Sequence, residues 1–316
     1  VIADLFAGPG GLDEAARQLG LPTVGIEHDA DAVTTRTAAG HATIHADVRH
    51  HGPDSVPDAT VLAAGPPCQT YSHAGDGSGR RALAEVLDAA RAMAARQQTA
   101  ARWGDERTGL VLEPLRWALT ALDDGQPYRA VVLEQVPAVL PVWQVIGAVL
   151  AREGYGVATG VLRAEEYGVP QTRRRAVLVA RLDGRTVLPE PTHRPWRQEP
   201  DLISIGLPRW ISQGDALSRP EPFVVVSNYG TGGDPRNRGR RRSDEPAFTV
   251  TSKISRNRVL SADGTRELPR LSHSEAGLLQ GFPADYPWSG RDVAQQIGNA
   301  IPPPLARALI TAATTP

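Results

Sequence analysis

The chain has 316 residues, 41% of them hydrophobic, and a formal net charge of −1. That is room for one large domain, or one large and one small. The single cysteine, Cys68, excludes an internal disulfide and a cysteine-built zinc site. No run reaches the ~20 apolar residues of a membrane-spanning helix. Strand-like residues begin at Val1, so no signal peptide is expected. A near-zero net charge neither favours nor excludes nucleic acid, because binding depends on where charge sits. The lone lysine, Lys253, among many arginines points to a GC-rich bacterial genome.

In chain order, Val1–Ala7 is an apolar run followed by the turn GPGG at 8–11. A helix is expected next, with Leu12, Ala15, Ala16 and Leu19 on one face, ending at Gly20 and Pro22. TVGIEH (23–28), ATIHAD (42–47), ATVLAAG (59–65) and YRAVVLE (128–134) read as strands. Helices are expected over 29–39, 108–122 and 142–152, and a last strand pair over 156–163 and 175–182. Strands alternating with helices predict an α/β fold with a doubly wound, Rossmann-like, mostly parallel sheet. Residues 66–106 form a long connection. From about Asp183 the texture turns to Pro, Gly, Arg and short β-branched runs, FVVVS (223–227) and FTVTS (248–252). This predicts a smaller, irregular, β-rich domain over 183–283. The large domain would comprise 1–182 and be completed by 284–316, which ends in an apolar helix pattern.

Six constellations carry chemistry. DLFAGPGG (4–11) puts a Gly-rich turn and a helix N-terminus at the sheet's carboxyl edge, suited to a phosphate or an amino-acid carboxylate; it reads equally well as a plain turn. Glu27 and Asp47 end the next two strands, placed for ribose hydroxyls and an adenine amino group, or simply to cap helices. Together the three describe a nucleoside pocket without a phosphate-binding lysine. In GPPCQTYS (65–72) two prolines stiffen the backbone ahead of Cys68, which fits a nucleophile better than a core residue. Glu134 of LEQV ends an apolar strand; a partly desolvated carboxyl there could donate a proton at neutral pH, or merely cap a helix. In QTRRR (171–175), Arg173 and Arg175 alternate and point the same way when extended, to grip a carbonyl and a phosphate or to form a solvated edge. The run RNRGRRR (236–242) and SKISRNR (252–258) offer phosphate contacts or a solvated face.

Taken together the motifs resemble the bacterial DNA (cytosine-5) methyltransferase family, from Asp4 to about Leu309. RLSHSEAGLLQGFP (270–283) and QIGNAIPP (296–303) complete the set. The resemblance implies S-adenosyl-L-methionine as cofactor, bound by Asp4, Phe6, Gly8, Pro9, Gly11, Glu27, His28, Asp47, Val48, Pro67, Leu110 and Asn299. It implies that Cys68 attacks carbon 6 of a flipped cytosine. Glu134 would protonate nitrogen 3, Arg175 would hold the base's carbonyl, and Arg173 would support the nucleophile loop and a nearby phosphate. It implies that the 66–106 connection holds a loop closing over the base. Double-stranded DNA is the implied partner, with contacts expected at Ser72, Arg236, Arg238, Arg240, Thr249, Thr251 and Arg256. No metal is expected.

The family usually has Asn after the catalytic Glu, where this chain has Gln135; that amide normally braces the nucleophile loop. The stretch around 80–98 reads as an extra helical insertion. Two other functions compete. One is an RNA (tRNA) cytosine-5 methyltransferase, whose branch carries a Cys-Phe-Thr element that needs a second cysteine. The other is a catalytically silent DNA-binding accessory protein, whose members lose the Cys or Glu that this chain keeps. The remaining expectations are a monomer in the bacterial cytoplasm, associated with the nucleoid, with a cognate restriction endonuclease acting separately.

Overall fold

In a computed structural model, residues 1–67, 83–97, 106–182, 184–198, 202, 204–230 and 237–315 are described. Seven strands form the main sheet: β1 (Ile2–Leu5), β2 (Thr23–Glu27), β3 (Thr43–His45), β4 (Val61–Ala64), β5 (Ala130–Gln135), β6 (Gly156–Arg163) and β7 (Arg174–Arg181). Their order is β3-β2-β1-β4-β5-β7-β6, with β7 antiparallel to both neighbours and the rest parallel. The chain starts at the centre and reverses direction across the sheet between β1 and β4. This places the carboxyl ends of β1, β2, β4 and β5 around one crevice, as in doubly wound folds that bind ligands at the switch point.

Both faces are covered, so the central strands are apolar on both sides. One face packs on the helices Leu83–Ala94, Glu113–Asp123 and Leu140–Arg152, with Trp117 and Trp143 fully enclosed. The other packs on α1 (Gly11–Gln18) and the last helix, Pro303–Thr314, through Leu12, Ala15, Leu305, Leu309 and Ile310. Leu19 does not join them. It lies beyond α1 and is 37% exposed, because the chain is already turning toward Gly20, whose φ is +68°. The helix Leu83–Ala94 is a docked layer of the core: Val86, Ala89 and Ala90 are buried in the first cluster. A loop closing over a base therefore cannot include this part of the 66–106 connection.

A second, four-stranded antiparallel sheet has the order β11-β10-β8-β9. It comprises β8 (Phe223–Gly230), β9 (Arg238–Arg242), β10 (Arg258–Ser261) and β11 (Glu267–Leu268). FTVTS is not one of its strands. It docks instead on the QTR segment: Val250 N–H donates to the Gln171 side-chain carbonyl (2.9 Å), and the Thr249 hydroxyl donates to Thr172 O (2.6 Å). Val293 and Ile297, in the helix Val293–Asn299, share a core with Phe223, Val225 and Leu279. The main sheet's core receives the chain again at Pro303–Thr314.

Candidate active site

The crevice holds a cavity of about 470 Å³, within the usual range for small-molecule sites. The turn after β1 forms one wall. Phe6 there has φ +60°, a left-handed conformation that L side chains rarely adopt. Gly10, at φ +103°, caps α1; a Cβ on it would lie 2.5 Å from the His41 ring and 2.8 Å from Tyr286 Oη, so glycine is required. Tyr286 also donates to Pro9 O (2.5 Å), which ties this turn to the C-terminal part of the chain.

Glu27 is held by two backbone donors, Gly8 N–H and Asp29 N–H, each at 2.7 Å. A carboxylate has about four acceptor sites, so two remain for hydroxyl donors. Asp47 caps the short helix Val48–His50 and is gripped by Arg49, whose Nη2 lies 2.6 Å away. The Arg49 side chain is the main cause that holds its carboxyl down at about 2.

At the far end, Arg175 Nε lies 2.6 Å from Glu134 Oε1, an ion pair between side chains that are 12% and 8% exposed. The contact lacks the alignment of a hydrogen bond, since Oε1 has no hydrogen-bond partner. Gln135, next in β5, donates from its amide to Pro66 O and accepts from Val136 N–H. The brace expected of an asparagine is thus made by the longer glutamine, on the turn that leads into Cys68. Cys68 itself lies outside the described residues.

Arg173 is 2% exposed. It donates to the carbonyls of Val250 (3.0 Å), Gly298 (3.0 Å) and Ala300 (3.2 Å), joining three separate stretches of chain. Arg173 thus lines the cavity as a buried joint between these stretches.

A model of the C-5 cytosine-specific DNA methylase family matches residues 1–92, 106–207 and 211–314. The chain belongs to this family. It is a DNA (cytosine-5) methyltransferase and uses S-adenosylmethionine. The methylase is 28% identical to Type II methyltransferase M.AplI of Arthrospira platensis, over 98% of this chain and 84% of that one. It is 28% identical to M.NlaX of Neisseria lactamica, over 98% and 94%. It is 33% identical to M1.HphI of Haemophilus parahaemolyticus over 51% of this chain, a match that spans 48% of that relative. The fold resembles that of S. pombe Dnmt2 methyltransferase, with a TM-score of 0.64, 15% identity and 98% and 96% of the two chains covered. It also resembles Entamoeba histolytica methyltransferase EhMeth, with a TM-score of 0.63, 12% identity and 98% and 96% covered.

The cavity suits the methylase's cofactor. Phe6, Ile26, Val48 and Leu110 give apolar walls for a planar base, and Glu27 and Asp47 give acceptors for hydroxyl and amino groups. Gly8, Pro9, His28, Pro67 and Asn299 line the same space, as expected. Asp4 and Gly11 do not. Asp4 lines a separate small cavity beneath, because it lies two residues before the turn. A Cβ on Gly11 would sit 2.2 Å from Ile301 O, so this glycine allows α1 to approach the C-terminal segment. Sequence reading missed Arg49, Arg107 and Gln295, which also line the cavity; only Arg49, two residues after Asp47, left a local signal.

The expected DNA contacts are less uniform. Ser72 and Arg236 lie outside the described residues. Arg240 and Arg256 are exposed, and Arg238 is half-buried. Their neighbours Arg241 and Arg242 are not a free patch: Arg241 stacks on Trp196 (3.5 Å) and Arg242 pairs with Asp244 (2.7 Å). Thr249 donates to Thr172 O (2.6 Å), and Thr251 Oγ1 accepts from Lys253 N–H (3.2 Å). Among the described residues no group of three His, Cys, Asp or Glu could hold a metal, and no helix is long and apolar enough to cross a membrane.

Proposed function

We propose that the methylase acts on a cytosine turned out of a specific duplex sequence, through a covalent bond from Cys68 to carbon 6. One observation carries this reading. Glu134, Arg175 and the Gly65–Pro67 turn share a cavity with the nucleoside-type wall, and Cys68 is the next residue in the chain. Attack by the Cys68 sulfur pushes electron density through the ring to nitrogen 3. A proton from Glu134 neutralises it there, and carbon 5 becomes enamine-like and nucleophilic. Arg175 holds the ring's carbonyl oxygen. Arg173 acts at a distance, by fixing Val250, Gly298 and Ala300 around the site. When bound, S-adenosylmethionine supplies the electrophilic methyl group that carbon 5 takes up. Loss of the carbon-5 proton and departure of Cys68 restore the aromatic ring.

The four-stranded part, within 183–283, reads the DNA sequence, with Arg238, Arg240, Thr249, Thr251 and Arg256 as contacts beside Ser72 and Arg236. The catalytic part comprises 1–182 and 284–316. The Type II names of its relatives support a role beside a separate restriction endonuclease in a bacterial cytoplasm. Transfer of labelled methyl groups to duplex DNA and to tRNA tests the substrate. Duplex DNA should be labelled by wild type and not by Cys68→Ser. Labelling of tRNA alone, or near wild-type turnover by Cys68→Ser, would overturn the reading.

A further inference from the structure

Beneath the cofactor turn lies a second cavity of about 40 Å³. It is enclosed by Asp4 and Phe6 on the β1 side, Ala64 and Gly65 on the β4 side, Val132 and Glu134 of β5, and the segment Asn299–Ile301. A cavity needs roughly 10–15 Å³ to hold one water, and a water needs polar partners. This one has two carboxyl groups. Asp4 is 3% exposed, and no described residue hydrogen-bonds its carboxyl. Glu134 divides its two oxygens. Oε1 meets Arg175, while Oε2 lies 3.9 Å from where a Cβ on Gly65 would stand, and Gly65 lines both cavities.

We propose that Asp4 is a positioning residue that holds a proton and delivers it to Glu134 through water in this small cavity. This rests on the reading of Glu134 as the acid that protonates the cytosine. That acid must carry a proton when the base arrives, and Arg175 pairs with its buried oxygen, Oε1, which leaves Oε2 to take the proton. The transfer balances. The Asp4 O–H bond breaks as the water takes that proton and gives one of its own to Glu134 Oε2. The water is restored and Asp4 is left a carboxylate. When nitrogen 3 returns its proton at the end of the cycle, the same steps run backward. The proton lost from carbon 5 leaves to solvent separately.

The surroundings of Asp4 favour its protonated form. Burial pushes its carboxyl well above the usual range, and Asp13 on α1 adds to this. Arg36 on α2 (Ala30–Ala38) opposes it, and Glu27 at the end of β2 reinforces it. Asn299–Ile301, Ala64, Gly65 and Val132 bring no ionisable group.

Asp4→Asn keeps the shape of the side chain and has no acidic proton. In single-turnover methyl transfer, the wild-type rate should stay level from about pH 6 to about pH 8. With Asp4→Asn the rate should fall by about tenfold per pH unit over that range, because Glu134 must draw its proton from solvent. It should recover at the acid end, and S-adenosylmethionine affinity should not change. A level profile for Asp4→Asn, or lost cofactor affinity with a level profile, would overturn the proposal. If Glu134→Gln transfers methyl at the wild-type rate, the acid itself is wrong and both readings fall. If Glu134→Gln is slow while Asp4→Asn stays level, only the relay falls. Should Asp4→Asn not fold, infrared spectra of wild-type protein carrying ¹³C-aspartate decide. A protonated aspartate band at neutral pH is expected, and its absence would overturn the proposal.

Discussion

Arg175 on β7 stands 2.6 Å from Glu134 on β5, held there by an antiparallel register that sets Glu134 opposite Val177. The group proposed to hold the cytosine carbonyl and the group proposed to protonate its ring are thus neighbours before any base enters. Arg175→Ala removes a donor from the transition state and should slow single-turnover transfer roughly 100-fold. Arg175→Lys keeps the charge but loses the planar fork, and should recover only part of that. Cofactor affinity, measured by calorimetry, should be unchanged in both. An equal loss of cofactor affinity would place Arg175 in the wrong half of the cavity.

Gln135→Ala strips the brace from the Pro66 carbonyl, which lies in a buried setting. Leaving that carbonyl unpaired should cost about 1–3 kcal/mol in urea unfolding. Transfer should slow as well, because the turn before Cys68 loses its anchor. A slower rate at unchanged stability would make Gln135 a participant in the chemistry and not a brace.

Asp47 has its carboxyl held at about 2, chiefly by the Arg49 side chain. Its value is depressed, so its contribution is present above the ordinary carboxylate range and lost only as pH falls through about 2. Cofactor affinity should therefore show no titration from Asp47 at mildly acid pH. In Arg49→Ala that protection is removed, and a loss of affinity should appear at higher pH than in wild type. Titration by fluorescence or calorimetry across this range checks it.

Asp13 and Arg36 form an ion pair of 2.7 Å with neither side chain exposed, and Thr23 adds a hydrogen bond of 2.6 Å to Asp13. Burial raises the Asp13 carboxyl, but Arg36 outweighs it and the net direction is down. Its stabilising contribution is accordingly full above the unfolded carboxylate value and fades as pH falls through the folded one. Arg36→Met leaves Asp13 uncompensated and should cost about 3–5 kcal/mol. The pair Asp13→Leu with Arg36→Met should regain most of that, because the cost lies in breaking the pair. Equilibrium unfolding of the three variants decides.

Arg173→Ala should act on stability more than on chemistry. Its guanidinium serves three carbonyls in a buried joint, and losing them should cost about 3 kcal/mol. Arg173→Lys keeps the charge but cannot reach all three carbonyls, and should fall between. Near wild-type stability for Arg173→Ala would return this residue to a direct role with substrate.

Most of the sheet was legible because its strands are short apolar, β-branched runs ending in acids or glycines. The clustering of Phe6, Glu27, Asp47 and Glu134 follows from strand ends, which chain order alone can place. Other features depend on distant partners. FTVTS has strand composition, but Gln171 and Thr172 accept hydrogen bonds from Val250 and Thr249. Gln135 finds Pro66, 69 residues away, a brace that the family resemblance implied and no local periodicity could give. Asp4 looked like a cofactor ligand because it precedes the Gly-rich turn, yet it lies one cavity deeper. The arginine run looked uniform, whereas Trp196 and Asp244 take two of its members.

The central claim is that Cys68 bonds to carbon 6 of a cytosine in DNA. The most direct measurement uses a duplex with 5-fluorocytosine at the target, incubated with wild-type methylase and S-adenosylmethionine. Fluorine at carbon 5 cannot leave as a proton, so the adduct should persist through denaturation. Peptide mass spectrometry should find the modified base on Cys68, and Cys68→Ser should form none. A duplex released intact by wild type, with its target base methylated or unchanged, would contradict the account.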